Sequence, residues 1–249
     1  MRGGATQLRV MTNTIGPHLL GRIPPPDSRH LESYALSIAA PPQGIEVNIA
    51  RPTLSAYNQG QSPACVAYAA SKVMNWFNHY AFDAPWLYAR CKEVDGKPGQ
   101  TGTNARAACD VLRRLGHWRI IAGKRVKAGP QKAHGIASNH WALSVDDIRS
   151  VFAGPRPEPV LIGIDWYHAW FKPAQRGAEK WLQDIPHAGK VAGGHEIGIW
   201  ACSDKRQAFG LSNTWGKGWP ALVWMPYSTM TRLFAHDADA CVITDRPSR

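Results

Sequence analysis

Apolar residues in the first half of the chain recur at intervals of three and four positions. The longest such stripe contains seven residues: Val66, Ala69, Ala70, Val73, Trp76, Phe77 and Tyr80. This spacing is typical of a helix that buries one face. Pro63 lies just ahead of the stripe, where a helix tolerates proline. The pattern therefore predicts a long helix that begins just after Pro63.

Two shorter helices are predicted further along the chain. One runs from about residue 104 to residue 115, with Thr103 or Asn104 as its cap and Gly116 at its end. Another begins at Ser144, and Asp147, three residues on, completes a capping box.

The second half of the chain has a different pattern. Short β-branched or aromatic stretches bounded by Gly, Pro, Asn or Asp predict four strands: Pro159 to Tyr167, His195 to Trp200, Gln207 to Leu211 and Ala221 to Tyr227. Helices early and strands late predict an α+β fold with two lobes and a cleft between them.

Length and composition exclude several classes of protein. The chain has 249 residues, which fits one large domain or two small ones. Aromatic residues make up 10% of it, so the bulk is not disordered. We find no apolar run of membrane-spanning length and no secretory signal at the start. Residues 1–40, with three successive prolines, are predicted to form an extended arm ahead of a domain at residues 41–249.

The chain is strongly basic, with a net charge of +11. Such a charge suits an anionic neighbour such as nucleic acid, a membrane face or an acidic wall polymer. Residues 101–135 hold eight basic side chains and one acid. We favour a solvated basic face there over a nucleic-acid site, because no zinc-finger spacing and no RNA-recognition signature accompanies it. An anionic surface remains a hypothesis for the partner of this region.

The five cysteines indicate free thiols rather than a disulfide framework. Their number is odd and their spacing is wide: Cys65, Cys91, Cys109, Cys202 and Cys241. There is no Cys-x-x-Cys pair and no His-Glu-x-x-His helix, so we expect neither a metal site nor a cofactor.

Cys65 lies in the first turn of the predicted long helix, where the helix dipole favours a thiolate and should lower the thiol pKa. Taken alone, it is better interpreted as a small buried residue. Three other residues change that interpretation. Gln59 can donate to an oxyanion that forms near the sulfur. His195, 130 residues later, can move the thiol proton, and the amide of Asn213 can orient the imidazole.

With these residues, the sequence resembles papain-like cysteine peptidases of the bacterial and phage type. The segments that carry the resemblance are NQGQSPACVAYAA at 58–70, GGHEIGIW at 193–200 and LSNTWGKGW at 211–219, with weaker similarity over roughly residues 21–245. It implies a helical left lobe at about 55–155 and a β-barrel-like right lobe at about 156–249.

The resemblance also implies a role for each residue of the site. Cys65 is the implied nucleophile, His195 the general base and acid, Asn213 its orienter and Gln59 the oxyanion donor. Trp215 matches the indole that shields the Asn–His hydrogen bond, and Trp215 and Gly194 are the implied substrate-binding residues.

The sequence departs from the family pattern at several positions. Val66 replaces an aromatic residue after the nucleophile, and Ser62 replaces a half-cystine. The disulfide of that half-cystine is therefore absent, which suits a reducing compartment, and we expect a cytoplasmic location. Glu196 follows His195, and we expect it to point to the opposite face of its strand. Thr214 stands where Ser is typical, which we interpret as a mild change. The stretch ahead of the domain is shorter than the inhibitory pro-segment of secreted members, so we do not expect a zymogen of that kind.

Three functions follow as hypotheses. The first is a peptidase that cleaves peptide or isopeptide bonds of a peptide or protein substrate through a thioacyl-enzyme. The second is a structural or accessory subunit of a phage particle, catalytically weak or inactive, which uses residues 1–40 to bind an assembly partner and is virion-associated. The third and weakest is a transglutaminase-like protein or a wall-peptide hydrolase of related Cys–His architecture.

Overall fold

The computed structural model describes residues 18–24, 40–51 and 57–246. Most of the predicted arm, residues 1–17 and 25–39, lies outside the described residues, so its conformation and its assembly partner stay predictions. None of the helices in the described ranges is long and apolar enough to cross a membrane.

Three helices form the left lobe: α1 (Cys65–Asn78), α2 (Ala84–Val94) and α3 (Ala105–Leu115). α1 packs against both other helices and against the sheet. It begins at Cys65, and its C-cap residue is His79, which adopts the left-handed conformation with a φ of 58°. The predicted caps of α3 are confirmed, because the Asn104 side chain accepts from the Ala107 N–H and Gly116 ends the helix.

The strands of the described residues form two sheets. Nine belong to the large sheet of the right lobe: β1 (Glu46–Asn48), β5 (Ile136–Ala142), β6 (Val160–Tyr167), β7 (Ala174–Arg176), β8 (Glu179–Trp181), β9 (Val191–Ser203), β10 (Ala208–Ser212), β11 (Val223–Pro226) and β12 (Asp239–Asp245). Three belong to a small sheet beside the left lobe: β2 (Ala81–Phe82), β3 (Arg119–Ile121) and β4 (Lys124–Arg125).

The large sheet has the order β5-β12-β6-β9-β10-β11-β8-β7, and β1 pairs with the C-terminal end of β9. Two helices lie against it: α4 (Val145–Ala153) and α5 (Tyr227–Phe234). The predicted cap of α4 is confirmed, since the Asp147 N–H donates to the Ser144 hydroxyl at 3.1 Å.

The centre of the sheet positions the right half of the site. β9 runs antiparallel to β6, which places His195 opposite Ile164 and Glu196 opposite Gly163. α1 packs on β6 and β9, so its first residue, Cys65, meets the His195 segment of β9. Asn213 is the first residue after β10, the strand that neighbours β9 in the sheet.

Candidate active site

His195 and Asn213 form a hydrogen-bonded pair. The His195 Nε2–H donates to Asn213 Oδ1 at 2.9 Å, and the Thr214 N–H donates to the same oxygen at 2.8 Å. Because an amide oxygen can only accept, Nε2 carries the ring proton and Nδ1 keeps its lone pair. Nδ1 is buried and has no hydrogen-bond partner among the described residues, so it is free to accept a proton.

Aromatic rings enclose this pair. Trp215 lies 4.8 Å from the His195 ring between centroids, and Trp166 meets that ring edge-on at 4.9 Å. Phe171 stacks on Trp215 at 5.4 Å. His195 is fully buried, and its burial lowers its pKa to about 4, although the Asn213 hydrogen bond opposes that shift. The imidazole is therefore neutral at pH 7 in this structure.

The Cys65 thiol is also fully buried, at the N-terminus of α1. The main chain of Glu196, Gly21 and Val66 lies near the sulfur and favours its thiolate, which lowers the Cys65 pKa. Burial nevertheless outweighs them and raises the Cys65 pKa to about 12. The helix N-terminus predicts a lowered pKa for Cys65. That prediction is wrong for this structure, because the sulfur is fully buried and water does not reach it.

Gln59 is buried and its amide is held at both ends. The Nε2–H₂ group donates to the Leu19 carbonyl at 3.0 Å and to the Ser62 carbonyl at 3.1 Å. The Oε1 atom accepts from the Thr214 hydroxyl at 3.0 Å. The Leu19 and Ser62 carbonyls can only accept, so they fix the NH₂ end of the amide, while the Thr214 hydroxyl holds the oxygen end. The donor end thus already binds a peptide carbonyl of this chain, that of Leu19.

That carbonyl belongs to residues 18–24, which we call the cleft segment. The segment lies between the lobes. On the left, the Thr103 N–H donates to the Gly21 carbonyl and the Ile23 N–H donates to the Thr103 carbonyl, both at 2.8 Å. On the right, the Arg22 N–H donates to the Gly194 carbonyl at 3.0 Å. The cleft segment thus binds to both walls as an extra strand would.

Two further contacts seal the site. The His18 ring stacks on Trp215 at 4.6 Å with an interplanar angle of 4°. Gly21 lies so close to the left wall that a Cβ on it would overlap the Pro63 carbonyl, and a Cβ on Gly194 would overlap the Arg22 carbonyl. The backbone can approach Cys65 this closely only because both positions are glycine. The cleft segment therefore accounts for the burial of the thiol and of Gln59.

The structure brings the six sequence-predicted residues to one place. Cys65 and Gln59 come from the left lobe, and His195, Asn213, Trp215 and Gly194 come from the right lobe. No hydrogen bond joins the Cys65 thiol to the imidazole in this closed arrangement. The thiol instead meets the main chain at Glu196, the residue next to His195.

Sequence analysis missed three residues that support the site. Thr214 orients Gln59, and only its position beside Asn213 could have suggested that role. Lys72, two turns after Cys65 on α1, donates to the Ser212 hydroxyl at 2.7 Å and to the Asn213 carbonyl at 3.0 Å. Burial, and then the Arg51 charge, lower its pKa to about 8. A lysine within an apolar helical stripe was the available signal. Arg22 is the third, and its buried side chain pairs with Asp239 at the start of β12.

No cluster that could hold a metal ion is found in the described part of the chain. Specifically, no three His, Cys, Asp or Glu side chains converge there.

Comparisons with known proteins define the fold. No family model matches the sequence, and no curated protein sequence matches it. Among solved structures, xylellain, a cysteine protease from Xylella fastidiosa, is similar with a TM-score of 0.73 and 20% identity, covering 93% of this chain and 98% of that one.

Two eukaryotic structures are similar at greater distance. The procathepsin B S9 of Trypanosoma congolense has a TM-score of 0.63 and 12% identity, over 92% of this chain and 87% of that one. The digestive procathepsin L 3 of Tenebrio molitor has a TM-score of 0.59 and 14% identity, over 92% and 76%. The chain has the papain-like, two-lobed α+β fold that the resemblance implied.

Proposed function

We propose that this chain is a cysteine peptidase that hydrolyses peptide bonds through Cys65. The observation that carries the proposal is that Gln59 donates to a main-chain carbonyl of the cleft segment, at Leu19, while the same segment meets the Cys65 thiol at Gly21. A side-chain N–H donor and a thiol that contact one and the same peptide segment are the groups that acyl transfer requires.

The first half of the proposed reaction forms a thioacyl-enzyme. His195 Nδ1 takes the thiol proton, and the Cys65 sulfur attacks the carbonyl carbon of the substrate. The negative charge moves to the carbonyl oxygen, where the Gln59 N–H and the Cys65 backbone N–H stabilise it. The C–N bond then breaks, and the imidazolium returns its proton to the leaving amine.

The second half hydrolyses the thioester. His195 removes a proton from a water molecule, the resulting hydroxide adds to the acyl carbon, and the C–S bond breaks to release the acid. The sulfur leaves as a thiolate and recovers the proton from His195. Asn213 holds the ring in one tautomer and orientation through both halves.

The cleft segment must leave before a substrate can bind, since it occupies both walls and the Gln59 donor. Its departure would also readmit water to the thiol and the imidazole. Burial now raises the Cys65 pKa to about 12 and lowers the His195 pKa to about 4, so both groups are neutral while the cleft is closed. We propose that the described state is a closed, inactive form of the enzyme and that opening restores the ion pair.

Cleavage of a random peptide library tests the proposal. The Gly21→Ala variant should open the cleft, because the added Cβ would overlap the Pro63 carbonyl. Gly154→Ala is the matched control, since a Cβ there makes only ordinary contacts. We expect cleavage that is faster in Gly21→Ala than in the wild type or in Gly154→Ala. Cleavage that persists unchanged in Gly21→Ala with Cys65→Ala would refute the assignment.

An inactive accessory subunit, for instance of a phage particle, is the second candidate. The observation that favours it is the closed cleft itself, in which both the thiol and the imidazole are held neutral. This candidate predicts that Gly21→Ala leaves the library uncut while the protein remains folded. The same experiment therefore separates the two functions.

A further inference from the structure

Two thiols outside the active site lie in direct contact. Cys109 on α3 and Cys241 on β12 are both buried, and their Sγ atoms are 3.6 Å apart. They are 132 positions apart in the sequence. Sequence analysis expects free thiols because the cysteines are widely spaced, and the fold removes that objection for this pair.

The other buried cysteines outside the cleft have different neighbours. The Cys202 sulfur contacts the Tyr227 hydroxyl at 3.0 Å. Cys91 on α2 lies near Cys109, and burial, followed by the charge of that neighbouring thiol, raises the Cys91 pKa. Of the five cysteines, which all lie in the described ranges, Cys109 and Cys241 are the pair whose sulfurs touch.

This thiol pair connects the two lobes behind the cleft. α3 belongs to the left lobe and begins two residues after Thr103, which binds the cleft segment. β12 belongs to the right lobe and begins at Asp239, which binds Arg22 of the same segment. A covalent bond between Cys109 and Cys241 would therefore join the two elements that lead away from the walls of the cleft.

We propose that Cys109 and Cys241 form a disulfide when the chain enters an oxidising environment, and that this bond ties α3 to β12. Two sulfurs at 3.6 Å need to approach by only about 1.6 Å to reach the length of a disulfide bond. A bond that closes so long a loop restricts the unfolded chain and stabilises the folded one. In a reducing compartment the pair stays as two thiols. The bond is independent of the peptidase function, because Cys65 takes no part in it.

The oxidant is a small-molecule disulfide such as oxidised glutathione. One of the two cysteines, as its thiolate, attacks a glutathione sulfur and releases one glutathione thiolate, which leaves a mixed disulfide on the protein. The second cysteine then attacks the protein sulfur of that mixed disulfide and releases the other glutathione. Two cysteine thiols are thereby oxidised, one glutathione disulfide is reduced to two thiols, and the two cysteine protons pass to glutathione.

Burial determines how fast this exchange proceeds. The contact with Cys109 and then burial raise the Cys241 pKa well above its ordinary value, so this thiol stays protonated in the folded protein. Because only the thiolate attacks, the exchange requires a local opening of α3 or β12, or takes place while the chain folds. A test therefore needs both a folded sample and one that unfolds and refolds.

Mass spectrometry of the full chain, with Cys65→Ala to remove the cleft thiol, tests the proposal. One sample is kept folded for a day in glutathione buffers that range from reducing to oxidising. A second is kept in the same buffers at the urea concentration where half of the reduced chain is unfolded. In the oxidising buffers we expect two fewer cysteines to react with N-ethylmaleimide, and a tryptic digest should contain the peptides of Cys109 and Cys241 joined together. Dithiothreitol should separate them.

Matched cysteine variants locate the bond and its effect. Cys109→Ala and, separately, Cys241→Ala should abolish it, whereas Cys202→Ala, at an equally buried position, should leave it intact. The oxidised protein should unfold at a thermal midpoint at least about 5 °C above that of the reduced protein, a rise that Cys241→Ala should lack. A bond between Cys91 and Cys109, no bond in either sample, or a bond that leaves the thermal midpoint unchanged would overturn the proposal.

Discussion

At the scale of single residues, the site depends on side chains that hold other side chains in place. Gln59 can point either end of its amide into the cleft, and the two ends have opposite hydrogen-bonding character. The Ser62 carbonyl, which can only accept, selects the donor end at 3.1 Å, and the Thr214 hydroxyl holds the amide in place by donating to Oε1 at 3.0 Å. Sequence analysis interprets Thr214 as a mild replacement for serine, and its hydroxyl is the feature that the two residues share.

Thr214→Val removes that hydroxyl while keeping the shape of the side chain. We expect the kcat of peptide cleavage to fall about tenfold or more in the Gly21→Ala background, approaching the loss typical of a missing oxyanion donor. KM should change little, because the Thr214 hydroxyl contacts Gln59 and not the main chain of Gly194 or Thr103, to which the cleft segment binds. Thr214→Ser should retain the activity, and an inactive serine variant would contradict this role of the hydroxyl.

Lys72 positions Asn213 from the opposite side. Its ammonium group donates to the Ser212 hydroxyl and to the Asn213 carbonyl, so it fixes the main chain that carries the amide. We expect Lys72→Met to lower kcat roughly tenfold and to displace the acid limb of the pH–rate profile, because the His195–Asn213 hydrogen bond becomes less well aligned. Lys92→Met, which breaks a pair with Asp95 on α2, serves as the control. An unchanged pH profile would assign Lys72 to packing alone.

At the scale of elements, local patterns predicted the parts of the fold that build the site. The stripe from Val66, the Asn104 cap and the Ser144 box identified α1, α3 and α4, since each is encoded within a few residues. The four predicted strands occur as β6, β9, β10 and β11 with shifted ends.

Five strands of the large sheet were not predicted from the sequence: β1, β5, β7, β8 and β12. For β5 and β12 the reason lies in their sequences. β5 (Ile136–Ala142) carries Ser, Asn and His in its middle, because it is an edge strand with a half-exposed centre. β12 (Asp239–Asp245) begins with the acid that binds Arg22, more than 200 residues away in sequence. No local pattern could pair Arg22 with Asp239, so neither this ion pair nor the occupied cleft was predicted.

The cleft segment is an element in its own right, and one methyl group should dislodge it. We expect the Cys65 thiol of Gly21→Ala to react with iodoacetamide at least about tenfold faster than in the wild type, because water and reagent then reach the sulfur. The control Gly154→Ala should react at the wild-type rate. Peptide mapping assigns the label, and equal rates at Cys65 in all three proteins would show that the segment does not close the site.

At the scale of the whole molecule, buried histidines make stability depend on pH. His117 is fully buried, accepts from the Trp118 N–H at 2.9 Å and lies 2.8 Å from the Ser71 hydroxyl. Burial, and then the His134 charge, lower its pKa to about 3. The unfolded chain binds a proton at this residue below about pH 6.5, whereas the folded chain does not. The stabilisation is therefore complete above that pH and is lost as the pH falls toward 3.

His117→Gln should isolate this contribution. We expect the variant to be less stable than the wild type at pH 7 and the difference in free energy of unfolding to shrink steadily between pH 6.5 and pH 4.5. Urea denaturation at several pH values measures both quantities. A difference that stays constant with pH would mean that His117 binds a proton as readily in the folded chain as in the unfolded one.

The proposed reaction requires the Cys65 sulfur to become acylated once the cleft opens. Intact-mass spectrometry detects this step after Gly21→Ala is mixed with an activated peptide ester and quenched in acid. We expect a mass increase equal to one acyl group, mapped to Cys65, which is slower to appear in the wild type and absent from Gly21→Ala with Cys65→Ala. An acyl group on a different cysteine, or no adduct in the open variant under conditions where it remains folded, would overturn the proposed peptidase function.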